Sequence, residues 1–210
     1  MNILKKLGAL ATAFVVVLAL SVSSPAEAAS KNAYQKKWGT FATQTFTGSG
    51  DDFVDLPVAV RSGIIYAQHS GSSNFIVHSL DSNDNVIDYL VNEIGATDTV
   101  AVFGFGYRNT KTKAFEVQAD GAWTITIKQA NLAPSYQSSG SGNWVMKYQK
   151  GAKRVRITHD GSSNFIVHQF CSNGVTNYVM NEIGSYSGRK KLSAGYCILE
   201  IYADGNWSFQ

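Results

Sequence analysis

The octet Gly71-Ser72-Ser73-Asn74-Phe75-Ile76-Val77-His78 returns letter for letter as Gly161-Ser162-Ser163-Asn164-Phe165-Ile166-Val167-His168. Downstream, Asn92-Glu93-Ile94-Gly95 recurs as Asn181-Glu182-Ile183-Gly184. Ala119-Asp120-Gly121-Ala122-Trp123 recurs as Ala203-Asp204-Gly205-Asn206-Trp207. Upstream, Gly48-Ser49-Gly50 with Phe53 matches Gly140-Ser141-Gly142 with Trp144. Blocks repeated in one order mark an internal duplication. Its period of about 90 residues is too long for a solenoid unit and suits one small domain. Two tandem domains are the first expectation; one sandwich assembled from both copies is the second.

Each copy reads as short strands separated by turns. Ser62–His69 and Asn74–Leu80 are apolar and β-branched runs flanking Ser70–Ser73, which predicts a hairpin. Asp120-Gly121 is a strong two-residue turn signal and predicts another. After it Trp123, Ile125 and Ile127 alternate with Thr124 and Thr126, one apolar face and one polar. Six or seven strands per copy without helical periodicity predict an all-β chain of two small antiparallel β-sandwich domains. Residues 48–130 form the first repeat, 131–142 a polar linker and 143–210 the second repeat.

The beginning of the chain reads as an address. Lys5 and Lys6 precede the apolar run Leu7–Leu20, which is too short to span a membrane comfortably. Ala26-Glu27-Ala28 is a small-x-small cleavage site. Residues 1–28 are therefore expected to be a signal peptide, and the product to be secreted and soluble. Residues 29–47, with Lys31, Lys36, Lys37 and Trp38, are expected to be a loosely held basic arm.

Cys171 and Cys197 both fall in the second copy. An even count in an exported chain predicts a disulfide. Across the duplication they match Asp81 and Lys113, which predicts an ion pair at the same place in copy one. A loop of about 25 residues gives the bond a stabilisation on the order of 3 kcal/mol.

The two copies differ in charge. Thr40–Ala130 holds five bases against ten acids, and Gly140–Gln210 holds eight bases against four acids. Such asymmetry bears on partners rather than fold. The second copy concentrates its cations in Lys153, Arg154 and Arg156 and in Arg189-Lys190-Lys191, which reads as a loop beside Tyr186. Lys147 and Lys150 add to them. An aromatic ring with cations can hold a sugar or an anionic polymer.

Asn-x-Ile-Gly, then Tyr186, Gly188, Gly195-Tyr196 and Ala203-Asp204-Gly205-Asn206-Trp207, resembles a β-sandwich module of uncharacterised exported proteins from Gram-positive bacteria and their phages. The first copy departs from it in lacking the Gly-Tyr pair. The resemblance implies fold and export and carries no active site.

The four histidines, His69, His78, His159 and His168, raise a metal site as one possibility, with structural roles the stronger expectation. Asp81–Asn85 opens like a calcium loop but lacks the glycine and the final glutamate such loops use. There is no Gly-x-Ser-x-Gly elbow and no Cys-x-x-Cys pair. No catalytic residue, metal ligand or cofactor is assigned. The expected function is non-catalytic binding at the cell envelope, to a surface glycan or anionic polymer. The ligand-binding candidates are Tyr186, Arg189, Lys190, Lys191, Lys153, Arg154 and Arg156. A secreted effector (toxin, bacteriocin or inhibitor), an extracellular enzyme and charge-driven self-association are the alternatives. Nucleic-acid binding and membrane insertion after cleavage are not expected.

Overall fold

The computed structural model describes residues 24–106 and 111–210. The apolar run Leu7–Leu20 and Arg108 lie outside them. Copy one contains β1 Gln44–Ser49, β2 Asp52–Asp55, β3 Gly63–His69, β4 Asn74–Leu80, β5 Val86–Ile94, β6 Thr97–Phe103, β7 Ala114–Gln118 and β8 Ala122–Lys128. Copy two contains β9 Ser139–Ser141, β10 Trp144–Tyr148, β11 Lys153–His159, β12 Asn164–Cys171, β13 Thr176–Ile183, β14 Tyr186–Leu192, β15 Cys197–Tyr202 and β16 Asn206–Phe209.

In copy one, sheet A runs β1-β8-β3-β6 and sheet B runs β2-β7-β4-β5. In copy two, sheet C runs β9-β16-β11-β14 and sheet D runs β10-β15-β12-β13. The orders are identical under the duplication, and every pairing is antiparallel. Both copies break register at the same place, between Val77 and His78 and between Val167 and His168, and copy one breaks it again between Ser79 and Leu80. The chain is thus all-β, with two sandwiches built to one plan. Inward residues of sheets A and B, among them Phe75, Phe115, Trp123 and Ile125, form one core. Phe165, Leu199, Ile201 and Trp207 belong to the other, between C and D.

The two hairpins expected at the octet and at Asp120-Gly121 are not hairpins. β3 and β4 lie in different sheets, as do β7 and β8. The octet's turn and the Asp-Gly turn are arches that carry the chain from one sheet to the other. The repeated Gly50 and Gly95 mark two more such arches, β1 to β2 and β5 to β6. All four arches meet at one end of the sandwich and bond to each other. Gly50 N–H donates to Gly121 O, Ser70 N–H to Ala122 O and Gly95 N–H to Ser73 O. His69 Nδ1 lies 3.0 Å from Gly95 O. Glycine is needed where backbones touch: a Cβ on Gly121 would stand 2.6 Å from Gly71, and one on Gly48 would stand 2.3 Å from the Trp123 ring. Copy two repeats the whole set through Gly142, His159, Gly184 and Gly205.

The segment expected to be a loose basic arm is a helix, α1 Pro25–Trp38, followed by β1. Ser24 caps it, accepting from Glu27 N–H at 3.2 Å, with Pro25 at the start and Gly39 at φ 84° closing it. Its buried residues, Ser30, Tyr34 and Trp38, recur every fourth position along one stripe. All three follow Ala28, so a chain beginning at Ala29 keeps these contacts and loses the cap. Likewise the expected linker already includes β9 of the second sandwich, and among the described residues each copy has eight strands rather than six or seven.

α1 sits at a third apolar cluster, between the sandwiches. Ile64, Val100 and Val102 from the outer face of sheet A meet Val145, Phe170 and Ile198 from the outer face of sheet D, with Tyr34 and Trp38 beside them. Trp38 stacks on Phe105 at 4.6 Å, and Tyr34 Oη donates to Cys197 O at 2.9 Å. The molecule is therefore a stack of four sheets in the order B, A, D, C.

Cys171 and Cys197 are bonded, facing each other across β12 and β15. In copy one the matching backbones are also neighbours, since Lys113 N–H donates to Leu80 O. The expected Asp81–Lys113 ion pair does not form. Asp81 instead accepts from Asn83 N–H, Asn85 N–H and the Asn85 amide and closes its own turn. Replacing both cysteines by serine should cost about 3 kcal/mol in urea unfolding while the β-sheet circular dichroism persists, because copy one builds the same sheet without the bond.

Candidate functional site

Of the seven ligand-binding candidates, four converge. The stretch Tyr186–Lys191, expected as a loop, is the edge strand β14 of sheet C, paired with β11. Antiparallel register sets Arg154 opposite Lys191 and Arg156 opposite Arg189. All four side chains are exposed on the outer face. Successive outward residues of a strand are about 7 Å apart and opposed side chains about 5 Å apart at Cβ. The cations thus form a small rectangle. Arg154, Arg156, Arg189 and Gln210 line a shallow depression of about 490 Å³ over it. Gln210 reaches it by exchanging backbone hydrogen bonds with Arg156; sequence offered no signal for that residue.

The other three candidates separate. Tyr186 and Lys190 alternate with the outward residues and lie on the other side of β14. Tyr186 packs on Phe165 at the edge of the core, at 6.4 Å between rings. Lys190 Nζ stands 3.7 Å from Glu182 and 5.6 Å from the Tyr186 ring centroid. The ring and the cation do meet, but not on the rectangle. Lys153 begins β11 out of phase with Arg154. Lys147 donates to Asn131 O and Lys150 lies over Tyr136, so neither joins the face.

The same positions in copy one carry no charge. Arg154 and Lys191 correspond to Ile64 and Val102, which are also register partners, and Arg156 and Arg189 correspond to Tyr66 and Val100. In copy one this face is buried against sheet D; in copy two it is open and cationic.

The four histidines divide into two kinds. His69 and His159 belong to the arches. Each stacks on the phenylalanine of its octet, at 4.7 and 4.3 Å. The Nε2 atoms lie 3.2 Å from Asp120 and 3.3 Å from Asp204. His78 and His168 lie in sheets B and D, each beside a glutamate: His78 Nδ1 is 2.8 Å from Glu116 Oε2, and His168 Nδ1 is 3.0 Å from Glu200 Oε2. Glu200, only 2 % exposed, also accepts from Tyr202 Oη and from Val102 N–H of copy one, both at 2.8 Å. Burial, and then the neighbouring Glu200 carboxylate, push the Tyr202 phenol well above its ordinary value. Asn143 makes a second tie between the copies, from Thr99 at 2.9 Å to Ala203 N–H at 3.0 Å. Among the described residues no group of three or more His, Cys, Asp or Glu side chains is placed to hold a metal ion. None of their helices is long and apolar enough to cross a membrane.

No protein-family model matches the chain, and no curated protein matches it.

Two expectations arise from these contacts. Glu200→Ala strands the buried Val102 N–H and should destabilise the chain by about 1–3 kcal/mol in urea unfolding. The Asp120 and Asp204 carboxyls lie below the usual aspartate value of 3.8, held there first by the backbone N–H of Ser72 or Ser162 and then by those of Ser73 or Ser163 and the serine hydroxyls. A depressed carboxyl contributes stability above its unfolded value and loses it as pH falls through the folded value. Melting temperature should therefore drop on acidification below about pH 4. The double variant Asp120→Asn, Asp204→Asn should melt lower at neutral pH and lose much of that acid dependence.

Proposed function

We propose that this is an exported, non-catalytic binding protein whose working surface is the outer face of sheet C, and that its ligand is an anionic polymer of the cell envelope. One observation carries the reading: Arg154, Arg156, Arg189 and Lys191 stand in directly opposed pairs on neighbouring strands. Like charges placed so destabilise a sheet. Among the described residues none of the four has a carboxylate within ion-pair distance, and the one polar contact, Arg156 to the Ser187 hydroxyl at 2.8 Å, offsets no charge. Copy one shows that the fold accepts apolar residues at these positions. An arrangement that costs the fold stability is accounted for by something it binds.

Guanidinium forks suit phosphate and carboxylate groups, which they meet with two parallel hydrogen bonds. The spacing of about 7 Å along the strands suits a chain with regularly placed charges rather than one isolated ion. Export is supported by the Cys171–Cys197 bond, of a kind that persists in oxidising compartments. It is supported as well by the signal-like opening of the sequence and by the likeness to exported modules. The non-catalytic reading is supported by the histidines and carboxylates of the repeats, which tie arches and sheets to one another.

Retention of the purified protein on isolated cell-wall polymer tests the reading. Binding should be firm near 0.1 M salt and lost near 1 M, where screening shortens from about 10 to about 3 Å. Arg189→Glu with Lys191→Glu should weaken it by roughly tenfold or more. Retention indifferent to both salt and charge reversal would overturn it.

A further inference from the structure

The joint inside the molecule is a template for a joint between molecules. Within the chain, the outer face of sheet A rests on the outer face of sheet D. The duplication makes sheet C the counterpart of A and sheet B the counterpart of D. Both counterparts lie at the two ends of the four-layer stack. We propose that sheet C of one molecule docks on sheet B of a second copy, as A docks on D, so that the protein stacks head to tail.

Three observations point to this occupant. The first is the His–Glu pair. In sheet D, Glu200 turns one oxygen to His168 and the other to Val102 N–H, on the edge strand β6. In sheet B, Glu116 turns one oxygen to His78, and its Oε1 has no partner among the described residues. The strand matching β6 is β14, also an edge strand, and Lys191 takes the place of Val102. In the shared register the Lys191 N–H is directed out of the sheet edge. The stack supplies Glu116 with that donor.

The second is exposure. The register places Phe53 opposite Glu116, as Val145 stands opposite Glu200, so Phe53 is the counterpart of Val145 and not, as its sequence neighbourhood suggested, of Trp144. Val145 is buried in the internal joint, whereas Phe53 is 64 % exposed. An exposed aromatic ring stands where the template has a covered apolar side chain. The counterparts of Phe170 and Ile198, Leu80 and Ala114, are already buried within the molecule, so the open part of the face is the region around Phe53.

The third is charge. Sheet B presents Asp55 and Glu116 beside Phe53, and sheet C presents Arg154, Arg156, Arg189 and Lys191. The internal joint is mainly apolar, with Glu200 and Asn143 as polar ties, and has α1 beside it. The joint between copies has cations meeting carboxylates and rests on charge. The contact is heterologous, so repeating it gives an open stack rather than a closed dimer. It covers the face to which the polymer is assigned, so polymer and second copy compete for one surface.

Sedimentation velocity of the purified chain beginning at Ala29 tests this. Near 50 mM salt, weight-average mass should rise about twofold or more with concentration, without a plateau at the dimer, and return to monomer near 1 M. Asp55→Lys with Glu116→Lys should stay monomeric, and so should Arg189→Glu with Lys191→Glu. Mixing the two variants should restore stacking, because each then offers the other a complementary face; this mixture also shows that both remain folded. A wild type that is monomeric at every concentration at low salt, one that stops at a dimer, or a mixture that stays monomeric overturns the proposal. The Asp55→Lys, Glu116→Lys variant keeps its basic face and serves the polymer assay. Salt-sensitive retention by that variant with a monomeric wild type leaves the polymer reading standing without the stack. Stacking by the wild type with no retention does the reverse.

Discussion

A single carboxylate ties the arches at one end of each sandwich. Asp120 Oδ2 accepts from Ser72 N–H, Ser73 N–H and the Ser72 hydroxyl; Asp204 does the same for Ser162 and Ser163, at matching distances of 2.9 to 3.1 Å. The carboxylate sits on one arch between sheets and its donors on another. Two sheets of a sandwich share no backbone ladder. Their relative placement rests on side-chain packing and on the segments that cross between them. Here the crossings are tied together, so the ends of β3, β4, β7 and β8 are fixed as a group. The octet is spelled twice because this knot tolerates little change. A Cβ on Gly71 would meet Asp120 at 2.0 Å, and His69 lies flat on Phe75 beneath it. Repetition of sequence here marks repetition of a tight geometric requirement.

That is why the plan of the fold was legible and its connections were not. Alternation in Trp123–Lys128 identified the inward residues of β8 correctly. The same letters could not say whether Asp120-Gly121 joins two strands of one sheet or two sheets. Both need a tight turn with glycine, and the difference lies in contacts with Gly71, about fifty residues away in the chain. The disulfide was legible because its partners are register neighbours. The ion pair inferred from it was not found, because Asp81 has donors within its own turn that compete with a lysine across the strand.

Two elements escaped for other reasons. Ser24-Pro25-Ala26-Glu27 is a helix-start spelling and also part of an export-signal spelling. Tyr34 finds its partners Cys197 and Tyr196 in the second sandwich, far along the chain, so the local pattern carries little amphipathic signal. Strand β14 alternates, but its outward residues are Arg189 and Lys191 and its inward ones include Gly188. The usual contrast of apolar against polar is absent, although Tyr186 and Leu192 are its inward ends. Three cations in a row read as a loop, whereas the strand splits them, sending Lys190 toward Glu182 and the other two toward solvent.

The copies have kept their inner faces and changed their outer ones. Inward positions carry side chains of one kind, as with Phe75 and Phe165 or Trp123 and Trp207. Outer positions differ, with Ile64, Tyr66, Val100 and Val102 in copy one and three arginines and a lysine in copy two. An apolar outer face on copy two would be an aggregation hazard with no sheet D to cover it. Removing the hazard requires only polar residues; threonine and serine, as at Thr158 and Ser187 on the same two strands, would serve. Placing four cations in opposed pairs goes further and costs the sheet stability. Solubility therefore explains why the face is polar; its strongly basic character is what the proposed negatively charged partner accounts for.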